Sequence, residues 1–300
     1  MCGIVGLHLR KPALYPQLGS LLTGMLCEMQ DRGADSAGVA VYGDPRWSPP
    51  GHATVSLIDS PLASAELRAA VTALLPPGTQ VDVVDESPTL LVNAPVEVEA
   101  LRTAVVTAAP GALVAGFGED VAVLKGVGRP RALAEDFGLA AAQGWQGVGH
   151  TRMATESAVT PAGCHPYAVG PDQCLVHNGS FANHATIRRE LSARGVLFDS
   201  ENDTEVGARF VADRLAAGLG IEAALKELCA TFDGFYTLLV SNRDSFAVVR
   251  DAIACKPAVI AETADWVAMA SEYRALTGLP GVENASLYEP EPERIYAWTR

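Results

Sequence analysis

The sequence predicts an α+β fold, in which sheets and helices form separate layers. Short apolar runs of strand length recur along the 300 residues, each bounded by turn residues. Helical stretches are fewer, come in pairs, and do not alternate regularly with strands, which argues against a parallel α/β sheet. One internal segment, residues 53–119, has its own order of elements, β-α-β-β-α-β, the order of a ferredoxin-like split βαβ unit.

Taken in chain order, Ile4–Leu9 reads as a first strand and Leu18–Met29 as a helix. The turn-rich Asp31-Arg32-Gly33-Ala34-Asp35-Ser36-Ala37-Gly38 follows, then a strand over Val39–Tyr42. A loop from Asp44 to Gly51 with three prolines marks a boundary. The segment beyond it contains strands at Ala53–Asp59, Gln80–Asp85, Thr89–Val92 and Ala112–Phe117, and helices at Ala63–Leu75 and Val96–Ala108. It has no His or Cys, and it is expected to be an insertion (subunit contact or regulation) in a main domain of residues 1–52 and 120–300. The main domain resumes with a strand at Val121–Lys125, a helix over Arg129–Ala142 and a strand at Gln146–Thr151. Cys174–His177 is a strand ending in His-Asn-Gly. Helices are expected at Phe181–Arg194, Thr204–Ala217 and Ile221–Thr231. Strands close the chain at Phe235–Ser241, Ser245–Arg250, Ala258–Glu262, Trp266–Ser271 and Arg294–Trp298.

Composition excludes several classes of function. Hydrophobic residues make up 49% and charged residues 19%, which is a globular balance rather than a disordered one. A net charge of −13 argues against binding the phosphates of a nucleic acid. The N-terminus lacks the basic start of a secretory signal, and no run of about 18 apolar residues is present to span a membrane. A cytoplasmic protein is expected. Six cysteines without a C-x-x-C pair then read as reduced thiols.

Cys2 differs from the other cysteines by position. Removal of Met1 would leave a thiol and an α-amine on one residue. A free α-amine has a reference value near about 7.7–8.0 and a free thiol one near about 8.5, so such an amine can serve as base for a thiol on the same residue. His177-Asn178-Gly179 supplies a side-chain amide and a backbone N–H of the kind that stabilises an oxyanion; Asn-Gly is equally a common tight turn. Arg152, at a strand end, suits a carboxylate or a surface ion pair, and Thr155 could add a hydroxyl to the same carboxylate. Asp203 suits an ammonium group or a helix N-cap.

The motifs Met1-Cys2-Gly3-Ile4-Val5-Gly6, Arg32-Gly33-x-Asp35-Ser36-x-Gly38, Gly149-His150-Thr151-Arg152-x-Ala154-Thr155, His177-Asn178-Gly179 and Asn202-Asp203-Thr204-Glu205 occur in this order. Together they resemble the class II, N-terminal-nucleophile glutamine amidotransferases. Asp233-Gly234-Phe235-Tyr236, Arg250-Asp251 with Lys256-Pro257, and Ser271-Glu272 extend the resemblance to the closing strands, whereas residues 53–119 lie outside it. The resemblance implies a four-layer αββα sandwich. It also implies Cys2 as nucleophile, Asn178 and Gly179 at the oxyanion, Arg152 and Thr155 on the substrate carboxylate, and Asp203 on its ammonium. Arg32 and His177 would support the site, and His150, His165 and His177 need not bind metal. No metal and no cofactor are expected in this chain. Met153 stands where several relatives have an aromatic residue, and Glu156-Ser157 follows Thr155, so the pocket wall is expected to differ.

Such domains usually accompany a synthase that consumes the ammonia. The chain ends at Arg300 just after its last strand, so the acceptor reaction is expected on a separate chain. The resemblance is nearest to the small amidotransferase subunit of glutamate-synthase-like complexes of the N-methylglutamate synthase type, whose partner would carry flavin or iron–sulfur centres. Two alternatives are a free-standing hydrolase of γ-glutamyl amides or peptides and a catalytically silent regulatory subunit.

Overall fold

A computed structural model describes residues 2–153 and 159–300. Fifteen strands and seven α-helices lie among them. The chain opens with β1 (Gly3–Leu9), α1 (Leu18–Glu28) and β2 (Ser36–Tyr42). Next come β3 (Ala53–Ile58), α2 (Ser64–Leu74), β4 (Asp82–Glu86), β5 (Thr89–Ala94), α3 (Val98–Ala108) and β6 (Leu113–Gly118). The main body resumes with β7 (Val121–Val127), α4 (Pro130–Asp136), β8 (Gln146–Arg152) and β9 (Cys174–Phe181). Three helices follow: α5 (His184–Ala193), α6 (Asp203–Ala216) and α7 (Ile221–Thr231). The closing strands are β10 (Gly234–Ser241), β11 (Ser245–Arg250), β12 (Val259–Glu262), β13 (Trp266–Ala270), β14 (Ser286–Tyr288) and β15 (Tyr296–Thr299).

Two antiparallel sheets form the main body, one of seven strands ordered β14-β12-β13-β1-β8-β2-β7 and one of four ordered β15-β11-β10-β9. Alternation along β1 shows how they stack, because successive side chains point to opposite faces. Ile4 packs inward against Val176, Leu239 and Phe246 of the smaller sheet. Val5 and Leu7 face outward, where Leu22, Met25 and Leu26 of α1 cover them. Gly6 again faces inward, and a Cβ there would lie 2.4 Å from Leu239 Cδ1, so glycine lets the sheets close. Helices α5, α6 and α7 cover the outer face of the smaller sheet through Ile187, Val206, Phe210 and Leu225. The layers are therefore helix, sheet, sheet, helix. Every residue of β1 is buried because both faces of the strand are covered, which is why it reads as an apolar run interrupted only by His8.

Residues 53–118 build a third antiparallel sheet, ordered β4-β5-β3-β6. This is the strand order of a split βαβ unit. Val55, Leu57, Val92 and Phe117 face α2 and α3. The other face of β3 is buried as well: Ile58 joins the core between the two large sheets, and Ser56 Oγ accepts from Val123 N at 2.9 Å. Where the chain re-enters the main body, the Asp172 carboxylate accepts from the N–H groups of Glu119, Asp120 and Val121 at 3.1, 2.8 and 3.0 Å.

The structure departs from the sequence reading in three places. The helix expected over Arg129–Ala142 stops at Asp136 and resumes as a short 3-10 turn, because Gly138 adopts a left-handed φ of 58°. The strand expected to end at His177 runs through Asn178-Gly179 to Phe181, so that dipeptide is not a turn. The short edge strand β14 was not apparent from the sequence. No helix among the described residues is long and apolar enough to cross a membrane.

Candidate active site

β1 begins at Gly3, in the middle of the larger sheet, and pairs with Thr151 near the end of β8. A Cβ at Gly3 would lie 2.8 Å from Thr151 Oγ1 and 2.9 Å from Met29 Cβ, so glycine lets residue 2 seat closely between β8 and the end of α1. Cys2 is half-buried at this strand start, with its Sγ 3.9 Å from the Met153 carbonyl oxygen. Its own carbonyl accepts from Arg32 Nε at 2.9 Å and from Asn178 Nδ2 at 3.3 Å. Arg32 is itself 8% exposed and held by Glu272 Oε1 at 2.8 Å. Next in the chain, Ile4 N donates to Ser271 Oγ and Ser271 N to the Ile4 carbonyl, both at 2.9 Å.

Asn178 and Gly179 lie side by side on β9, the outermost strand of its sheet at that end. Gly179 is aligned with Tyr236 on β10, but both main-chain polar groups of Tyr236 go to Asp251 instead. Gly179 has φ of 147°, and a Cβ there would lie 2.0 Å from the Phe235 carbonyl oxygen, so the position requires glycine.

Asp203 is the first residue of α6, and the N-cap is Asn202, whose Oδ1 accepts from Thr204 N at 2.9 Å. That leaves the Asp203 carboxylate for other work. Its Oδ2 accepts from Phe181 N at 2.9 Å, and Oδ1 lies 3.4 Å from Thr204 Oγ1. Arg152, at the end of β8, is 5% exposed, so a surface ion pair does not describe it. Thr155 lies outside the described residues.

Cys2, Arg152, His177, Gly179 and Asp203 line one cavity of about 410 Å³, a volume suited to a small metabolite. Asn178 is not among the lining residues; it bonds to the carbonyl of Cys2, which is. His165, Thr204, Phe235 and Lys256 line the same cavity and had not been assigned to it from sequence. Lys256 belongs to the Arg250-Asp251/Lys256-Pro257 motif, which was the available signal. Its loop is shaped by Asp251, whose Oδ2 accepts from Ile253 N at 2.7 Å, and its ammonium lies 5.0 Å from the Phe235 ring centroid.

In the cavity wall, His165 stacks on His150 behind it with centroids 3.9 Å apart, and His177 stacks on Phe181 at 4.4 Å. All three imidazoles resist protonation, first because burial penalises the cation. The value for His150 falls to about 3, and neighbouring positive charge adds to the effect on His165. Asp203 partly offsets burial at His177. Among the described residues, no group of three or more His, Cys, Asp or Glu is arranged to hold a metal ion.

A strand-start thiol thus lies between two facing sheets, beside Asn178-Gly179 and a cavity lined by Arg152 and Asp203. The chain belongs to the class II glutamine amidotransferase family. The family model described as a glutamine amidotransferase domain matches residues 150–278. The chain is 45% identical over 303 residues to the glutamine amidotransferase-like protein GlxB of Rhizobium meliloti (strain 1021), covering 99% of this chain and 98% of that one. It is 38% identical over 132 residues to glutamine–fructose-6-phosphate aminotransferase (isomerizing) of Thermus thermophilus, covering 44% of this chain and 22% of that enzyme. Among solved structures, glutamine phosphoribosylpyrophosphate amidotransferase from B. subtilis shares the fold, with a TM-score of 0.61 at 18% identity over 99% of this chain and 49% of that one.

Proposed function

We propose that this chain hydrolyses the side-chain amide of glutamine through a thioester on Cys2 and supplies the ammonia to a synthase on a separate chain. The convergence of Cys2, Gly179, Arg152 and Asp203 on one cavity carries this reading. With Met1 removed, the Cys2 α-amine takes the thiol proton as sulfur attacks the amide carbon. The oxyanion that forms is met by the Gly179 N–H and by the second N–H of the Asn178 amide, whose first is engaged by the Cys2 carbonyl. Collapse breaks the C–N bond, the protonated amine gives its proton to the departing nitrogen, and ammonia leaves a γ-glutamyl thioester. Water, deprotonated by the same amine, then releases glutamate and regenerates the thiol. Arg152 holds the substrate α-carboxylate, to which Thr155 adds a hydroxyl, and Asp203 holds the α-ammonium.

The particular setting we propose is a glutamate-synthase-like complex, nearest to the N-methylglutamate synthase type, in which the partner carries flavin or iron–sulfur centres. Resemblance at residues 149–157 and 252–257 supports it. A glutamine-mimicking diazoketone should give one adduct by mass spectrometry, on Cys2, with Met1 absent. Met1 retained in fully active protein would overturn the mechanism. Full glutamine turnover by the isolated chain, unchanged in a co-purified complex, would favour a free-standing hydrolase and overturn the subunit assignment.

A further inference from the structure

Thr204 sits where two rings and a carboxylate meet. His165 Nε2 and His177 Nδ1 each lie 2.9 Å from its Oγ1, and Asp203 Oδ1 lies 3.4 Å away. The remaining ring nitrogens, His165 Nδ1 and His177 Nε2, are buried with no hydrogen-bond partner among the described residues. His150 repeats the pattern: its Nε2 lies 3.0 Å from the His177 carbonyl, which can only accept, and its Nδ1 has no such partner.

A neutral imidazole has one N–H and one lone pair, and a hydroxyl has one proton and two lone pairs. If both rings direct their N–H at Thr204, the hydroxyl accepts twice and its single proton goes to Asp203. All three contacts are then hydrogen bonds, and only lone pairs face the buried positions without a partner among the described residues. If Thr204 instead donated to either ring, that ring would strand an N–H in the interior and the bond to Asp203 would be lost. Stranded buried N–H groups are the rarer and costlier case.

We propose that Thr204 is a positioning residue for substrate recognition: its hydroxyl, oriented by His165 and His177, holds Asp203 Oδ1 in place for the α-ammonium of the substrate. Phe181 N fixes the other carboxylate oxygen at 2.9 Å, so the group is held at both ends. His165 is braced in turn by the buried Lys125, whose Nζ donates to the carbonyls of Cys164 and Pro166 at 3.0 and 3.2 Å. This inference rests on the glutamine reading, and its experiment separates the two.

Steady-state hydrolysis of glutamine is measured for the wild type, Thr204→Val and Thr204→Ser. The inhibition constant of glutaramate, which is glutamine without its α-amino group, is measured for each. Thr204→Val is expected to raise KM for glutamine about tenfold, the size of one hydrogen bond, with kcat near wild type. Glutaramate should bind all three proteins alike, and Thr204→Ser should restore the wild-type KM. A fall in kcat at constant KM, an equal loss for both ligands, or failure of serine to restore KM would each overturn the proposal. If the valine variant does not fold, Thr204→Ala is read by the same criteria. Absence of glutamine turnover in the wild type would overturn the glutamine reading and this inference together, whereas turnover with KM unmoved by substitution would overturn only this inference.

Discussion

The Cys2 carbonyl is gripped by Arg32 from the loop after α1 and by Asn178 from the opposite sheet, so one main-chain atom registers the nucleophile against both sheets. In the proposed mechanism Asn178 serves twice, once on that carbonyl and once on the developing oxyanion. Asn178→Ala is expected to lower kcat by roughly 10²–10³-fold while the melting temperature stays close to wild type. Steady-state kinetics beside calorimetry checks this; a variant with wild-type kcat would remove Asn178 from the chemistry. Arg152→Ala is expected mainly to raise KM for glutamine, since it deletes binding common to ground and transition states. A kcat loss without a KM change would reassign that residue. Arg152 and Asp203 were legible in the sequence because each falls at the end of a readable strand or the start of a readable helix. Thr204 and Lys256 were not. Thr204 looks like an ordinary first-turn helix residue, and Lys256 is delivered by a loop whose shape depends on Asp251 accepting local N–H groups.

At the scale of elements, the strands and helices of the main body could be read from apolar runs because burial on both faces makes β1 and β2 largely hydrophobic. What could not be read were interruptions set by single backbone positions. Gly138 ends a helix that composition alone would continue, and β9 runs straight through an Asn-Gly that local statistics assign to a turn. Gly179→Ala is expected to abolish glutamine hydrolysis, because its Cβ would force β9 away from the Phe235 carbonyl and displace the adjacent donor. Retained activity in a soluble variant would show that the strand can yield. Lys125 on β7 plays a comparable part for the loop carrying His165. Lys125→Met strands two buried carbonyls and is expected to lower unfolding free energy by about 1–3 kcal/mol in urea titration.

For the whole molecule, the three buried imidazoles couple stability to acid. Each is held below the ordinary imidazole value near 6.5, so protons bind the unfolded chain first as pH falls. Their contribution is complete above about pH 6.5 and is lost progressively below it, toward the folded-state values. Arg152 and Lys125 push His165 the same way, and Asp203 opposes this at His177. Urea midpoints are expected to be lower at pH 5 than at pH 8, and a flat profile would contradict the neutral assignment. The segment of residues 53–119 also acts at this scale. Its sheet contributes Ile58 and Ala115 to the core between the two large sheets, and Ser56 caps Val123 N. Excising it is therefore expected to give an insoluble or strongly destabilised protein rather than a minimal active domain; a soluble, active deletion would show that its inner face is dispensable.

The grip on residue 2 through its carbonyl has a practical consequence. That grip does not involve the amine, so it would survive extra residues placed ahead of Cys2. A recombinant protein carrying an uncleaved N-terminal affinity tag is expected to fold and retain glutamine without turning it over. Proteolytic release that leaves Cys2 first would then start the reaction, making the tag a means of loading substrate before triggering catalysis.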